Sequence, residues 1–140
     1  MQIKQKETFS TGLSNDKSVK RKFSFSYFER LHIQRDFNKV FKNGLRLENK
    51  AIRILAYIRK DGQDVRRLGL ITPKRVGTAV IRNRIKRRVR EIFRTNKHLL
   101  EPSLDLIFIL KTETVLLDYK KLEDIILVLL KDANLYVLSE

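Results

Sequence analysis

With 140 residues, 42% of them hydrophobic, the chain has material for one domain with a real core. It has no cysteine, which excludes a disulfide framework and thiolate chemistry, and no apolar run near the roughly 18 residues that a bilayer-spanning helix needs. The net charge of +15 points to a polyanionic partner. It is unevenly spread, with residues 98–140 summing to −4 and residues 1–97 therefore carrying +19.

Residues 1–28 read as an extension. They are mostly polar, show no sustained period and are expected to be largely disordered. They also lack the apolar segment of a secretory signal, so a cytoplasmic protein is the expectation. Within them FSFSYF, residues 23–28, alternates aromatic and Ser and is a candidate added strand. The domain proper is placed at 29–140. Phe37, Val40 and Phe41 recur at helical spacing, and Gly44 is a natural stop. AIRILAYI (51–58) and RRLGLIT (66–72) read as strands, and Asp61-Gly62 between them predicts a hairpin. Pro73 ends the second of these. A helix is expected from Thr78 or Ala79 to Lys97, stopped before Pro102. LDLIFIL (104–110) is apolar enough for a strand buried on both faces. A last helix runs from about Tyr119 to Ala133, with Asp118 as its cap. Together these elements make an α+β single-domain sandwich of a small central sheet and helices.

The helix after Pro73 carries the functional signal. IRNRIKRRVRE, residues 81–91, is dense in Arg and Lys, yet Ile and Val recur through it. At about 100° per residue, Ile81, Ile85, Val89, Ile92 and Phe93 share one side, while Asn83, Lys86, Arg87, Arg90 and Arg94 lie nearly opposite. Burying each Ile or Val contributes about 1.5–3 kcal/mol of transfer free energy. Like-charge repulsion between i, i+3 and i, i+4 neighbours costs only a few tenths of a kcal/mol per pair. The segment therefore reads as a cationic ridge anchored by its apolar side. From Arg82 to Arg94 there are six Arg and one Lys, and the planar guanidinium fork suits phosphate oxygens. Asn83 adds a donor and an acceptor fit for a 2′-hydroxyl or base edge. The bland alternative, a solvated surface helix, leaves only Glu91 to pair with the row.

RVGTAVIRNRIKRRVREIF resembles the signature of the protein subunit of bacterial ribonuclease P, with Arg82-Asn83-Arg84 as its hallmark. RLHIQRDFNKVFKNG (30–44) resembles that family's first helix, and LGLITPKRVG its strand leading to the motif. The resemblance implies the order α-β-β-β-α-β-α, with a left-handed β-α-β crossover around the basic helix. It implies a protein that binds the catalytic RNA of ribonuclease P and the 5′ leader of precursor tRNA. The RNA, with Mg2+ bound mainly by that RNA, performs the hydrolysis. Matched by position, Lys74, Arg82, Asn83, Arg84, Lys86, Arg87 and Arg90 are expected to bind RNA, and Arg94 continues their row. Phe37, Phe41 and Leu55 are expected to line the leader cleft, Leu55 standing where a cleft Tyr occurs unless Tyr57 takes the place through a register shift. Ile71, Pro73 and Thr78 depart from the residues usual in the family at their positions.

Nothing in the sequence forms a protein-borne catalytic site. His32 and His98, the only histidines, lack metal-site or acid–base spacing, and no phosphate-cradling glycine loop occurs. No metal ligand and no membrane partner are expected. The rival readings are a structural RNA-binding protein of ribosomal type and a DNA-binding regulator.

Overall fold

A computed structural model of the chain describes residues 29–137. The expectations for residues 1–28, disorder and an added strand at 23–28, lie outside the described residues. The elements in chain order are α1 (Gln34–Asn43), β1 (Leu45–Glu48), β2 (Ile52–Ile58), β3 (Arg67–Ile71), α2 (Ala79–Asn96), β4 (Leu104–Leu110) and α3 (Tyr119–Asp132). This is an α+β domain in the order α-β-β-β-α-β-α. The four strands form one mixed sheet ordered β1-β2-β4-β3. The β1/β2 and β2/β4 pairs are antiparallel, and β3/β4 is parallel. A parallel pair cannot be joined by a tight turn, and α2 supplies the crossover between β3 and β4.

That order corrects the expected hairpin between residues 51–58 and 66–72. Asp61-Gly62 does turn, with Gly62 at φ 73° and Asp61 Oδ1 accepting from Gln63 N at 2.9 Å. The strands on either side of this turn are not partners, because β4 lies between them. The reason is burial. Six of the seven β4 residues are buried, and a strand apolar on both faces belongs in the interior of a sheet. The connecting loop instead wraps the Arg59 side chain, which donates to Gln63 O at 3.2 Å and Val65 O at 2.8 Å. The true hairpin is β1–β2. Its turn is held by Asn49, whose Oδ1 accepts from the backbone N–H of Ala51 and Ile52, both at 2.9 Å. Residue patterning did not pick out β1, which is four residues long with none of them buried. The family resemblance did imply a strand there.

One sheet face carries most of the core. Ile54, Ala56, Leu68, Leu104, Leu106 and Phe108 meet Ile85, Val89, Ile92 and Phe93 of α2 and Leu122, Ile126 and Leu130 of α3. The caps are local. Thr78 Oγ1 accepts from Ile81 N at 3.3 Å, and Asp118 Oδ1 from Lys121 N at 2.9 Å. The opposite face is covered more thinly by α1, whose only buried residue is Val40. Leu31, Val40, Leu55 and Ile107 form this second cluster, with Phe37, Tyr57, Ile71 and Ile109 packed against it.

Gly69 makes the approach of α1 possible. It lies in a row across the sheet with Ile107 and Leu55, and the Phe37 ring rests on it. A Cβ at Gly69 would stand 2.7 Å from Phe37 Cζ. Gly69→Ala is therefore expected to cost about 1–3 kcal/mol of stability by overpacking, with part of the loss relieved when Phe37→Leu is added. Urea denaturation of the two single variants and the pair checks this.

At the far edge, Glu48 holds the end of β1. Its carboxylate accepts from Arg53 Nη2 at 3.1 Å and from Lys111 Nζ at 2.5 Å. These two hydrogen bonds, Arg53's first, bring the Glu48 pKa from 4.5 down to about 2. A folded-state pKa below the unfolded one gives stability that is present above pH 4.5 and lost as pH falls toward about 2. Glu48→Gln should flatten the acid limb of the stability–pH profile over that window, measured by denaturation at stepped pH.

Candidate nucleic-acid interface

α2 presents two contrasting sides. Ile85, Val89, Ile92 and Phe93 are buried, and Ile81 packs against the same core. Asn83, Arg84 and Arg87 are exposed, and Lys86 is partly so. Among the described residues, none of Arg84, Lys86 and Arg87 has a carboxylate partner. Lys74 and Arg75, in the turn of 3-10 helix Lys74–Val76 ahead of α2, are also exposed. These cations stand on a helix that its apolar side fixes in place, so their spacing is set before any ligand arrives.

The remaining basic residues are individually distinguished. Arg82 folds back, its Nε donating to Gly77 O at 3.1 Å, so it braces the turn that leads into the helix. Arg90 is partly buried, and burial followed by the nearby Arg30 guanidinium lowers its pKa from the ordinary arginine value. Arg94 continues the row but is held by Glu91. Its Nε donates to Glu91 Oε1 at 3.1 Å, and its Nη2 is bonded to Glu91 Oε2. This contact raises the Arg94 pKa and lowers that of Glu91. Arg88 turns the other way and donates to Leu117 O at 3.0 Å, tying α2 to the approach of α3. Lys97, just past the helix, is buried and paired with Glu29. The ridge thus contains outward cations, one neutralised member and several structural ties. Sequence reasoning assigned no role to Arg75, although its position beside Lys74 is a usable signal.

The expected cleft residues sit on the opposite face of the sheet. Phe37 is half-buried on Gly69, while Phe41 is 49% exposed. The two rings are stacked with centroids 6.4 Å apart and planes 28° from parallel. They form an aromatic shelf with its free surface at Phe41. Leu55 lies beneath α1 at 7% exposure and serves the packing of that cluster. Tyr57, two residues along β2 and so on the same face, is the more open of the two positions.

Beside Tyr57 lies a charged network that joins α1, β3 and β4. Asp105, 2% exposed, accepts from Arg67 Nε and Nη2, both at 2.8 Å, and from Arg59 Nη1 at 2.7 Å. Arg67 Nη1 also donates to Asp36 Oδ2 of α1 at 3.0 Å. The fork to Asp105 raises the Arg67 pKa despite partial burial. A buried carboxylate bound by two guanidinium groups meets the condition for tolerating charge in a core. Among the described residues, no group of three His, Cys, Asp or Glu side chains comes together as a metal site. No helix among them is long and apolar enough to cross a membrane.

Comparison with known proteins gives one family. The family described as Ribonuclease P matches residues 25–134. A ribonuclease P protein component from Thermotoga maritima is 43% identical over 86 residues, 61% of this chain and 72% of that protein. One from Alkaliphilus oremlandii is 39% identical over 106 residues, 76% of this chain and 91% of that protein. Among solved structures, that of a mutant Staphylococcus aureus RNase P protein superposes with a TM-score of 0.71 at 25% identity. It covers 90% of this chain and 100% of its own.

Proposed function

The chain belongs to the ribonuclease P protein family and so serves tRNA processing as a subunit of that enzyme, and from this premise we propose that it works by binding two RNAs with opposite faces of its sheet. The α2 ridge takes the sugar-phosphate backbone of the catalytic RNA. The Phe37–Phe41 shelf takes the single-stranded 5′ leader of precursor tRNA. The observation that carries the first assignment is the charge arrangement on α2, where Arg84, Lys86 and Arg87 stand opposite a buried apolar stripe with no carboxylate among the described residues to answer them.

The chemistry of hydrolysis falls to the RNA in this reading, together with its Mg2+. The described residues of the protein offer no cluster suited to hold that ion, and no step is assigned to them. What the protein contributes is attraction and placement. Guanidinium groups held at fixed spacing match phosphate oxygens without first being ordered, which lowers the entropic cost of docking. The half-exposed Phe41 ring offers a face to a leader base, and stacking of this kind accepts any base.

Reconstitution with ribonuclease P RNA tests the ridge. Arg87→Ala should weaken RNA binding and flatten its salt dependence by roughly one log–log unit per lost phosphate contact. Arg94→Ala should flatten it less, because Glu91 already engages that guanidinium. Equal slopes for Arg87→Ala and the parent protein would remove Arg87 from the RNA face. For the shelf, Phe41→Ala should weaken leader-bearing precursor roughly tenfold while sparing mature tRNA. Affinities measured on both substrates with the holoenzyme decide it, and an equal loss on both would refute the assignment.

A further inference from the structure

The groove beside α1 continues past the aromatic shelf into a recess of about 520 Å³. It lies along the N-terminal half of α1, at the Arg67 end of β3. The other end of β3 leads through the Lys74–Val76 turn to the cationic ridge, so the recess is the more remote part of the groove. Its walls include the Tyr57 ring and Ile33, which is exposed.

The floor and rim differ electrically. At the floor, Arg59 and Arg67 are occupied by Asp105, Asp61 and Asp36, so these charges answer one another. At the rim stand Arg35, Lys39 and Lys60. All three are exposed, and among the described residues none has a carboxylate partner. The floor network also fixes the shape of the recess. Asp36 ties α1 to β3, and Arg59 ties the loop after β2 to β4. A wall of ring and aliphatic carbon beside three unanswered cations suits a ligand that is flat and apolar on one side and phosphorylated on the other.

We infer that this recess is a second leader subsite, taking a nucleotide of single-stranded RNA further from the cleavage point than those on the Phe37–Phe41 shelf. Its base lies against Tyr57, and its flanking phosphates meet Arg35, Lys39 and Lys60. The inference rests on the leader assignment for the shelf and extends the same groove by one site. Specificity there is weak, since a ring face and ammonium groups do not read base edges.

The test uses holoenzyme reconstituted with ribonuclease P RNA and three substrates: precursor tRNA with a long single-stranded leader, the same precursor trimmed to its cleavage-proximal leader nucleotides, and mature tRNA. Two variants probe the recess. Tyr57→Leu removes the ring, and the paired change Lys39→Ala with Lys60→Ala alters only exposed side chains and so avoids a folding defect. Each should lower the ratio of long-leader to short-leader affinity, by roughly tenfold for Tyr57→Leu. The Lys pair should also flatten the salt dependence for the long leader by about 0.7 log–log unit per lost phosphate contact.

The inference is overturned if the Lys pair leaves that ratio at the parent value, or lowers affinity for mature tRNA as much as for the long leader. Phe41→Ala run in parallel separates the two claims. If it weakens both leaders while the recess variants keep the parent ratio, the recess fails and the shelf stands. If Phe41→Ala weakens neither leader and the recess variants also keep the ratio, both fall together.

Discussion

The seating of α2 on the sheet is the constraint on which the rest depends. Ile85, Val89, Ile92 and Phe93 fill one side of the helix and meet residues from β2, β3 and β4. Their burial outweighs the mutual repulsion of the cations on the other side, which is spread over several partly solvated pairs. The same contact makes α2 the crossover between two parallel neighbours, so that β3 and β4 are brought side by side by the helix that bears the charge. Fold and ridge are thus one arrangement. A helix with these charges and no apolar side would have no reason to keep them in a row.

The two faces of the sheet are built to different standards. One is sealed by α2 and α3 around a large apolar cluster. The other carries a single short helix with one buried residue, supplemented by a ring resting on a glycine and by an ion-pair network around Asp105. Thin covering leaves aromatic surface and groove exposed, which apolar sealing would have removed. Directional contacts compensate for the small area. The Asp36–Arg67 pair fixes where α1 lies with little burial, and Gly69 sets how close it comes.

Much of this was legible from residue order. The α2 stripe, its cap region, the doubly buried β4 and the Asp118-capped last helix follow from spacing and composition, and the described structure places them within a residue or so. Partnering was not legible. Asp61-Gly62 signals a turn truthfully, but a turn says nothing about whether its flanks pair, and β4's need for an interior position decided against it. β1 escaped because four residues with none buried show no period. At the ridge, the helical wheel separated Arg88 from the outward row, and Arg88 does reach inward to Leu117 O. It did not show that Arg94 would be held by Glu91, since i, i+3 proximity permits that contact without requiring it. The Asp105 network was invisible, because its members come from residues 36 to 105 and meet only through the sheet register.

The interior place of β4 also sets the order of events when the chain is made. Both β2 and β3 take β4 as neighbour, and β4 begins only at Leu104. A nascent chain that has not yet reached that residue has the short β1–β2 hairpin but no complete surface on which α2 can settle. It also carries the +19 of residues 1–97, while the segment that brings the last strand and last helix carries −4. Synthesis proceeds from the N-terminus, and non-local strand pairing must wait for its partners to emerge. Until then the growing polypeptide is an uncollapsed polycation emerging from a ribosome, itself largely RNA. Its final stretch delivers the missing strand and some opposing charge together, so collapse and release from unspecific attraction are timed by the same residues.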